Sequence, residues 1–386
     1  MGLVGDVSSK RPARRLRRMF GFLLYNIATV LVLFLMFEGA ASTYYAFRSA
    51  FAEPSGGRES LRIFKASGHS YTEYDRDLGW VSLPNVYIPD MYGPGKFLRT
   101  NSQRFRNTVD FTRTVPPGQT RIICSGDSFT FGFGVGNDHT WPQLLASQAP
   151  NIETVNMGQG GYGADQAYLW YKRDGAAMDH DIQILALIYA DVYRMQYSSF
   201  SGYGKPLLKA ENDRVVVTNV PVPRSMEVWA PRLLRVENAL SHLSVIHLIR
   251  SALKLNATGP LVESDERNEQ TAGVLSHMLD DLRAMNQARG SVFVLVYLPT
   301  REELGSKSGY WRHILAQYAR QRRVVYIDLT DDFRRLPAAE SDKLFINNVA
   351  LGTAGHYNEA GNAFVADLVF RQLLANPETA AKLHAR

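Results

Sequence analysis

The 386-residue sequence predicts an α/β domain, a parallel sheet with helices on both faces, preceded by one N-terminal transmembrane helix. Three observations lead there. From Arg121 onward, short apolar runs alternate with helical patterns of 10–15 residues, as in successive βα units. The run DIQILALIY, Asp181 to Tyr189, is apolar through its centre, as parallel strands buried on both faces are. Met19 to Phe37 is 19 residues without a charge, close to the roughly 20 that a helix needs to cross a bilayer core.

The N-terminal end explains the net charge of +6. Lys10, Arg11, Arg14, Arg15, Arg17 and Arg18 against Asp6 place +5 in the first 18 residues, leaving +1 for the rest. A near-neutral body argues against a nucleic-acid-binding face, which needs a clustered basic footprint. The basic flank favours a cytoplasmic N-terminus. A cleaved signal is the rival reading, and Gly39 to Ser42 offer small residues for it. Signal cores usually run about 7–15 residues, so this longer segment reads as an anchor. The chain thus divides into a basic tail at 1–18, an anchor at 19–38, a stalk and lead-in at 39–118 and the α/β domain at 119–386. Either reading exports the body of the chain.

Within the lead-in, YDRDLGWVSLPN and FLRTNSQRFRN suggest hairpins. RIICSG is the first strand of the domain and HTWPQLLASQA its helix. ETVNMG and ADQAYLWYKRDGAAM form the second pair, and DIQILALIY is the third strand. An interruption at about 192–262 comes next, holding YRMQYSSFSGYGKPLL, the run RVVVTNV and the amphipathic VENALSHLSVIHLIRSAL. It leaves from a strand's carboxyl end, where open α/β sheets bind ligands. Tyr193, Tyr197, Phe200, Tyr203 and Trp229 are candidates for stacking on a sugar ring, or equally for packing the insertion onto the sheet. A helix near 266–289, the strand SVFVLVYLP, a helix at 309–322, the strand VVYIDLT and a last helix at about 359–374 complete the alternation. The single cysteine, Cys124, allows no intramolecular disulfide and reads as a small buried hydrophobe.

The chemistry concentrates in IICSGDSFTFGFGVG, where Ser128 follows an apolar run and precedes several glycines. No Lys stands before Ser128 as a phosphate-binding P-loop requires. Gly158, Gly160 and Gly163 match a dinucleotide fingerprint, but Asp191, the carboxylate ending the next strand, stands 28 residues beyond Gly163, where about 20 is usual. The third reading is acyl transfer: a serine at a strand-to-helix turn can present both its hydroxyl and its backbone N–H. Among nine histidines, His356 in LGTAGHYNEAGN falls after the last strand and directly before the last helix, at the same sheet edge. His139, near Ser128 in sequence, begins the helix after it; His242, His247 and His277 lie within helical patterns.

Gly126-Asp127-Ser128, Asn156 through Gly161, and a late His before Asn and Gly together resemble the blocks of the SGNH (GDSL-like) hydrolases over about 121–375. The resemblance implies a flavodoxin-like α/β/α fold and an esterase, lipase, or O-acyltransferase or deacylase acting on glycans. Ser128 would be the nucleophile, His356 its base, and the N–H groups of Ser128 and Gly161 the oxyanion donors, with Asp127 bracing the turn. The lead-in and anchor look like a bacterial envelope subgroup associated with surface polysaccharide. That implies an inner-membrane protein with a periplasmic domain, an acylated glycan as substrate, polysaccharide biosynthesis proteins as partners, and no cofactor or metal. Two positions depart from the pattern. Ala190 stands where the family carries an oxyanion Asn, with Asp191 beside it. Thr353 and Ala354 stand where its acid is expected, so the imidazole would be oriented by a backbone carbonyl, by the Thr353 hydroxyl, or by Asp328, Asp331, Asp332 or Asp342 from another loop. A second function is therefore open: a protein of this fold that binds or helps assemble a glycan without turning it over.

Overall fold

The computed structural model describes residues 10–51, 71–201, 203–212, 214–223, 265–305, 309–347 and 353–384. The chain forms two compact units, one carrying the helix Lys10–Phe51 and the other every strand among the described residues. Within that helix, Arg18–Ala40 is 23 residues of mean hydropathy 2.3 and none of it is buried. At 1.5 Å per residue this is about 34 Å, the thickness of a bilayer core. Large apolar side chains from Met19 to Phe37 are exposed around it. A helix that is apolar on every side has no reason to fold alone in water.

The second unit is built on a five-stranded parallel sheet: β5 (Thr120–Gly126), β6 (Ile152–Gly158), β7 (Ile182–Leu187), β12 (Val292–Tyr297) and β13 (Val325–Asp328). Their spatial order is β13-β12-β7-β5-β6. Counted along the chain that is the doubly wound flavodoxin-like order, with a switch point between the first and third strands. β5 and β7 are buried at every residue, which accounts for their unbroken apolar centres. One core layer lies on each face of the sheet. Trp170, Tyr171, Leu279, Leu295 and Trp311 belong to one, and Ile122, Trp141, Ile184, Val296 and Val369 to the other. Cys124 is fully buried in the second, and burial pushes its thiol far above its ordinary range.

The remaining strands are short antiparallel pairs: β1 (Thr72–Asp75) with β2 (Gly79–Ser82), β3 (Tyr87–Ile88) with β4 (Leu98–Arg99), β8 (Ser199–Phe200) with β9 (Tyr203–Gly204), and β10 (Leu207–Glu211) with β11 (Arg214–Thr218). The first lead-in hairpin, β1 with β2, lies at YDRDLGWVSLPN where the sequence places it. In FLRTNSQRFRN only β4 is a strand, and it pairs upstream with β3, so that segment is not itself a hairpin. Leu78, Trp80, Val81 and Phe105 enter the same core as the sheet, so the lead-in shares the domain's packing. The insertion begins with β8 to β11. Its amphipathic stretch at 236–253, with His242 and His247, and Trp229 before it lie outside the described residues.

Several helices differ from the sequence pattern. HTWPQLLASQA splits into a 3-10 turn, Asn137–His139, and a helix, Trp141–Ala146, that Thr140 caps and Pro142 starts. His139 is thus exposed ahead of that helix, with Nδ1 on Asp138. The second helix stops at Arg173, and Gly175 lies in a separate 3-10 turn where a Cβ would press on Met157 and Tyr171. Short helices at Arg301–Leu304, Thr330–Arg335, Ala338–Asp342 and Pro377–His384 carry too few residues to show a period.

Arg106 of the lead-in is fully buried and donates to the carbonyls of Phe131, Gly132 and Val135 at 2.5–2.6 Å. Its guanidinium also lies 4.6 Å over the Phe131 ring. Arg106→Met would leave the buried carbonyls of Phe131 and Val135 without a donor and Gly132 with only the Val135 N–H. It should lower unfolding free energy by about 3 kcal/mol, since charged hydrogen bonds and buried cations are costly to break. Urea denaturation of the detergent-solubilised chain checks this; stability equal to wild type would contradict the assignment.

Candidate functional site

The site forms where three parallel strands end. After β5 the chain turns at Gly126 and Asp127 into a four-residue helix, Ser128–Phe131. Asp127 caps that helix, with Oδ1 accepting from the Phe129 N–H at 2.8 Å. Gly132 closes it in the left-handed conformation at φ 80°. The turn presses onto the end of β6. A Cβ on Gly158 would lie 2.1 Å from the Phe131 nitrogen, and one on Gly126 would lie 2.5 Å from the Ala186 carbonyl. No side chain larger than hydrogen fits at either position, so the glycines around Ser128 serve close backbone approach.

His356 reaches the same place from the far end of the chain. It sits in the turn before Asn358, whose side chain caps the helix Glu359–Ala375. Its carbonyl accepts from Ile346 N–H, and Gly355 N–H donates to Ile346, pinning the turn as a short bridge. The imidazole packs against Phe129 and Phe133, with ring centroids 4.8 and 5.3 Å away. Nε2 lies 2.9 Å from Ser128 Oγ and Nδ1 lies 3.1 Å from the Thr353 carbonyl. A carbonyl can only accept, so Nδ1 carries the proton and the Nε2 lone pair faces the serine hydroxyl. That is the tautomer a general base requires.

Desolvation pulls the His356 pKa below its ordinary value. The Asp127 carboxylate and the Thr353 carbonyl pull it back up, and the Arg194 charge pushes it further down. Ser128 is only 8% exposed. Its Oγ is also 3.3 Å from Asp127 Oδ2, a longer contact than that to the imidazole.

The remaining sequence candidates divide cleanly. Gly161 stands in the turn after β6 at φ 77°, over the Phe200 ring. Neither its N–H nor that of Ser128 has an acceptor among the described residues. The lead-in holds this turn: Trp80 Nε1 donates to Gly160 at 2.9 Å, Tyr162 Oη to the Trp80 carbonyl at 2.5 Å, and Ser82 Oγ to Gln159 at 2.7 Å. Ala190 packs among apolar residues and offers no donor. Asp191 does not stand in for the missing amide. Its Oδ2 accepts from Ile188 N–H at 3.0 Å and its Oδ1 from Arg194 at 2.7 Å. Burial, and then the Asp127 charge, push its pKa well up.

Thr353 contributes its carbonyl to His356, not its hydroxyl. The four carboxylates considered as orienting acids are engaged elsewhere: Asp328 and Asp331 with Arg312, Asp332 with Arg335, and Asp342 with Arg301. Of the aromatics in the insertion, Tyr193 is buried against Trp311, while Phe200 and Tyr203 pack on Trp80. The residue that sequence reading missed is Arg194, whose one sequence signal is its place three residues after Asp191 on the helix Tyr189–Arg194.

No family model matches the sequence, and no curated protein matches it. Solved structures that it is similar to include a protein ascribed to the lipolytic G-D-S-L family from Desulfitobacterium hafniense, at 14% identity and a TM-score of 0.38 over 66% of this chain and 99% of that one. A member of the same lipolytic family from Veillonella parvula is 12% identical with a TM-score of 0.37, over 65% and 97%. An acetyl xylan esterase is 14% identical with a TM-score of 0.38, over 65% and 98%.

The depressed His356 pKa sets a pH profile for any reaction that uses this imidazole as base. Protonation removes the lone pair, so kcat/KM should be full above the pKa and fall as pH drops through it. The acid limb should therefore lie below the 6.5 of an ordinary histidine. Measuring kcat/KM for an aryl acetate from pH 4 to 9 checks this; a limb above about 6.5 would contradict it.

Proposed function

We propose that the chain is a membrane-anchored serine esterase or O-acyltransferase working on O-acyl groups, acetyl foremost, of a cell-envelope or exported polysaccharide. The observation that carries the chemistry is Ser128 Oγ at 2.9 Å from His356 Nε2, with the other ring nitrogen held by the Thr353 carbonyl. The substrate class rests on the resemblance of the sequence blocks to glycan-acting SGNH proteins and on the anchor. Ser128 Oγ attacks the acyl carbonyl carbon as His356 Nε2 takes its proton. The oxyanion that forms faces the N–H groups of Ser128 and Gly161. Collapse breaks the ester bond, and the sugar alkoxide leaves with the proton from His356. The acyl-serine is then discharged by water in hydrolysis, or by a second sugar hydroxyl in transfer, with His356 again taking the proton.

The span Arg18–Ala40 and the basic run before it support a single-pass inner-membrane protein with the tail in the cytoplasm and the domain in the periplasm. Polysaccharide biosynthesis proteins are the partners such a location would supply. The described start of the insertion, which sets Phe200 against Gly161, supports a role for it beside the acyl acceptor's approach. Ala190, with no carboxylate behind His356, favours a second reading in which the same surface binds glycan without turnover.

Ser128→Ala and His356→Ala should each reduce turnover of p-nitrophenyl acetate by at least about 10³-fold while leaving the circular dichroism spectrum unchanged. A wild-type chain without activity on aryl or sugar acetates, and without fluorophosphonate labelling, would overturn the enzyme reading in favour of the binding one. Alkaline phosphatase fused after residue 386 should be active in cells. An inactive fusion would overturn the topology.

A further inference from the structure

Arg194 joins the three turns that make the site through one nitrogen. Its Nη1 lies 3.1 Å from Asp127 Oδ2 in the turn after β5, 2.9 Å from the Tyr162 carbonyl in the turn after β6, and 2.7 Å from Asp191 Oδ1 after β7. Both carboxylates are 1% exposed and the arginine side chain 17%. The guanidinium carbon stands 5.0 Å over the Phe200 ring, and that same ring lies against Gly161. The arginine's own backbone is fixed as well. Lys205 Nζ, fully buried in an ion pair with Asp165, donates to the Arg194 carbonyl at 2.9 Å. Arg194 is the cation these two buried carboxyl groups share, and its charge opposes the burial and the Asp127 charge that push the Asp191 pKa up.

We propose that Arg194 is the positioning residue of this acyl-transfer site, locking the Asp127–Ser128 turn and the Gly161–Tyr162 turn in register so that two backbone N–H groups serve where the Ala190 position lends no amide. The inference rests on the esterase reading above. Arg194 acts through Asp127, which caps the helix that begins at Ser128, and through Tyr162, the neighbour of Gly161. An oxyanion hole reduced to two backbone donors tolerates little misplacement, because each donor must meet the developing charge at hydrogen-bond distance. The insertion enters through Lys205 and Phe200, so its first hairpin takes part in holding the site.

The test begins with wild type and Ser128→Ala on p-nitrophenyl acetate. Inactivity of both would sink the esterase reading itself, an outcome separate from any effect of Arg194. Given wild-type activity, Arg194→Met should lower kcat by about 10²-fold with KM changed by less than about 3-fold, as expected for an interaction that matters in the transition state. Guanidinium ion added to Arg194→Met should restore part of kcat, which a general loss of packing would not allow. The pH profile supplies a second readout. The charged groups that bear on His356 are Asp127 and Arg194, while Phe129 and Phe133 face it with neutral rings and Thr353 and Ala354 with backbone. Removing the cation should move the acid limb of kcat/KM to higher pH, and Asp127→Asn should move it lower.

If Arg194→Met fails to fold, Arg194→Lys decides. An ammonium keeps the charge but cannot match the planar fork, so kcat should still fall at least about 10-fold. Arg194→Met with kcat within about 3-fold of wild type and an unmoved pH profile would overturn the proposal, as would a fully active Arg194→Lys where the methionine variant is unfolded.

Discussion

The backbone contact between the Ser128–Phe131 turn and the end of β6 governs the rest of the site. A Cβ at Gly158 would meet the Phe131 nitrogen at 2.1 Å, and Thr130 Oγ1 lies 2.4 Å from where a Cβ on Gly126 would be. Because neither position carries a side chain, the turn settles directly onto the strand ends. Ser128 is then held at the sheet's carboxyl edge, within 2.9 Å of a histidine 228 residues away in sequence. The lead-in reinforces the same contact from outside. Arg106 grips the carbonyls at the end of the turn, and Trp80 and Ser82 grip the neighbouring Gly160 and Gln159.

A histidine oriented by a carbonyl differs chemically from one backed by a carboxylate. The Thr353 oxygen fixes the ring and the tautomer, but it carries no full charge to stabilise an imidazolium. Asp127 supplies negative charge from the other side, through space rather than through Nδ1. Its pull on the imidazole is opposed by Arg194, which also ties Asp127 to Asp191. The net result is an imidazole held neutral, suited to taking a proton but giving less help once it has one. That balance makes close placement of the backbone donors count for more than in a site with a carboxylate-backed histidine.

Much of the fold was legible because its signals are local. β7 is apolar at nearly every residue, and Asn358 marks the start of the last helix as a cap three residues ahead of Gly361. Ser128 and His356 were legible for the same reason: each sits at a turn whose small residues show in the sequence. The features that stayed hidden depend on through-space relations. Arg194 looks like a solvated helix residue until three turns converge on one of its nitrogens. The lead-in carries no period, yet Trp80 and Arg106 enter the core. His139 precedes its helix instead of beginning it, because Pro142, which reads as part of a longer helix, stands at the start of a short one. The choice among Thr353 and four aspartates needed coordinates, since Asp328, Asp331 and Asp342 have arginine partners that sequence distance conceals, while Asp332 pairs with Arg335 within its own helix.

The central claim is that Ser128 becomes covalently acylated with His356 as base. The most direct measurement is mass spectrometry of the chain quenched at low pH during turnover of an aryl acetate. The account predicts one added acetyl group per chain, located on the peptide carrying Ser128 and lost on longer incubation with water or a sugar acceptor. Turnover with no acyl adduct at any quench time, or an adduct on a residue other than Ser128, would contradict it.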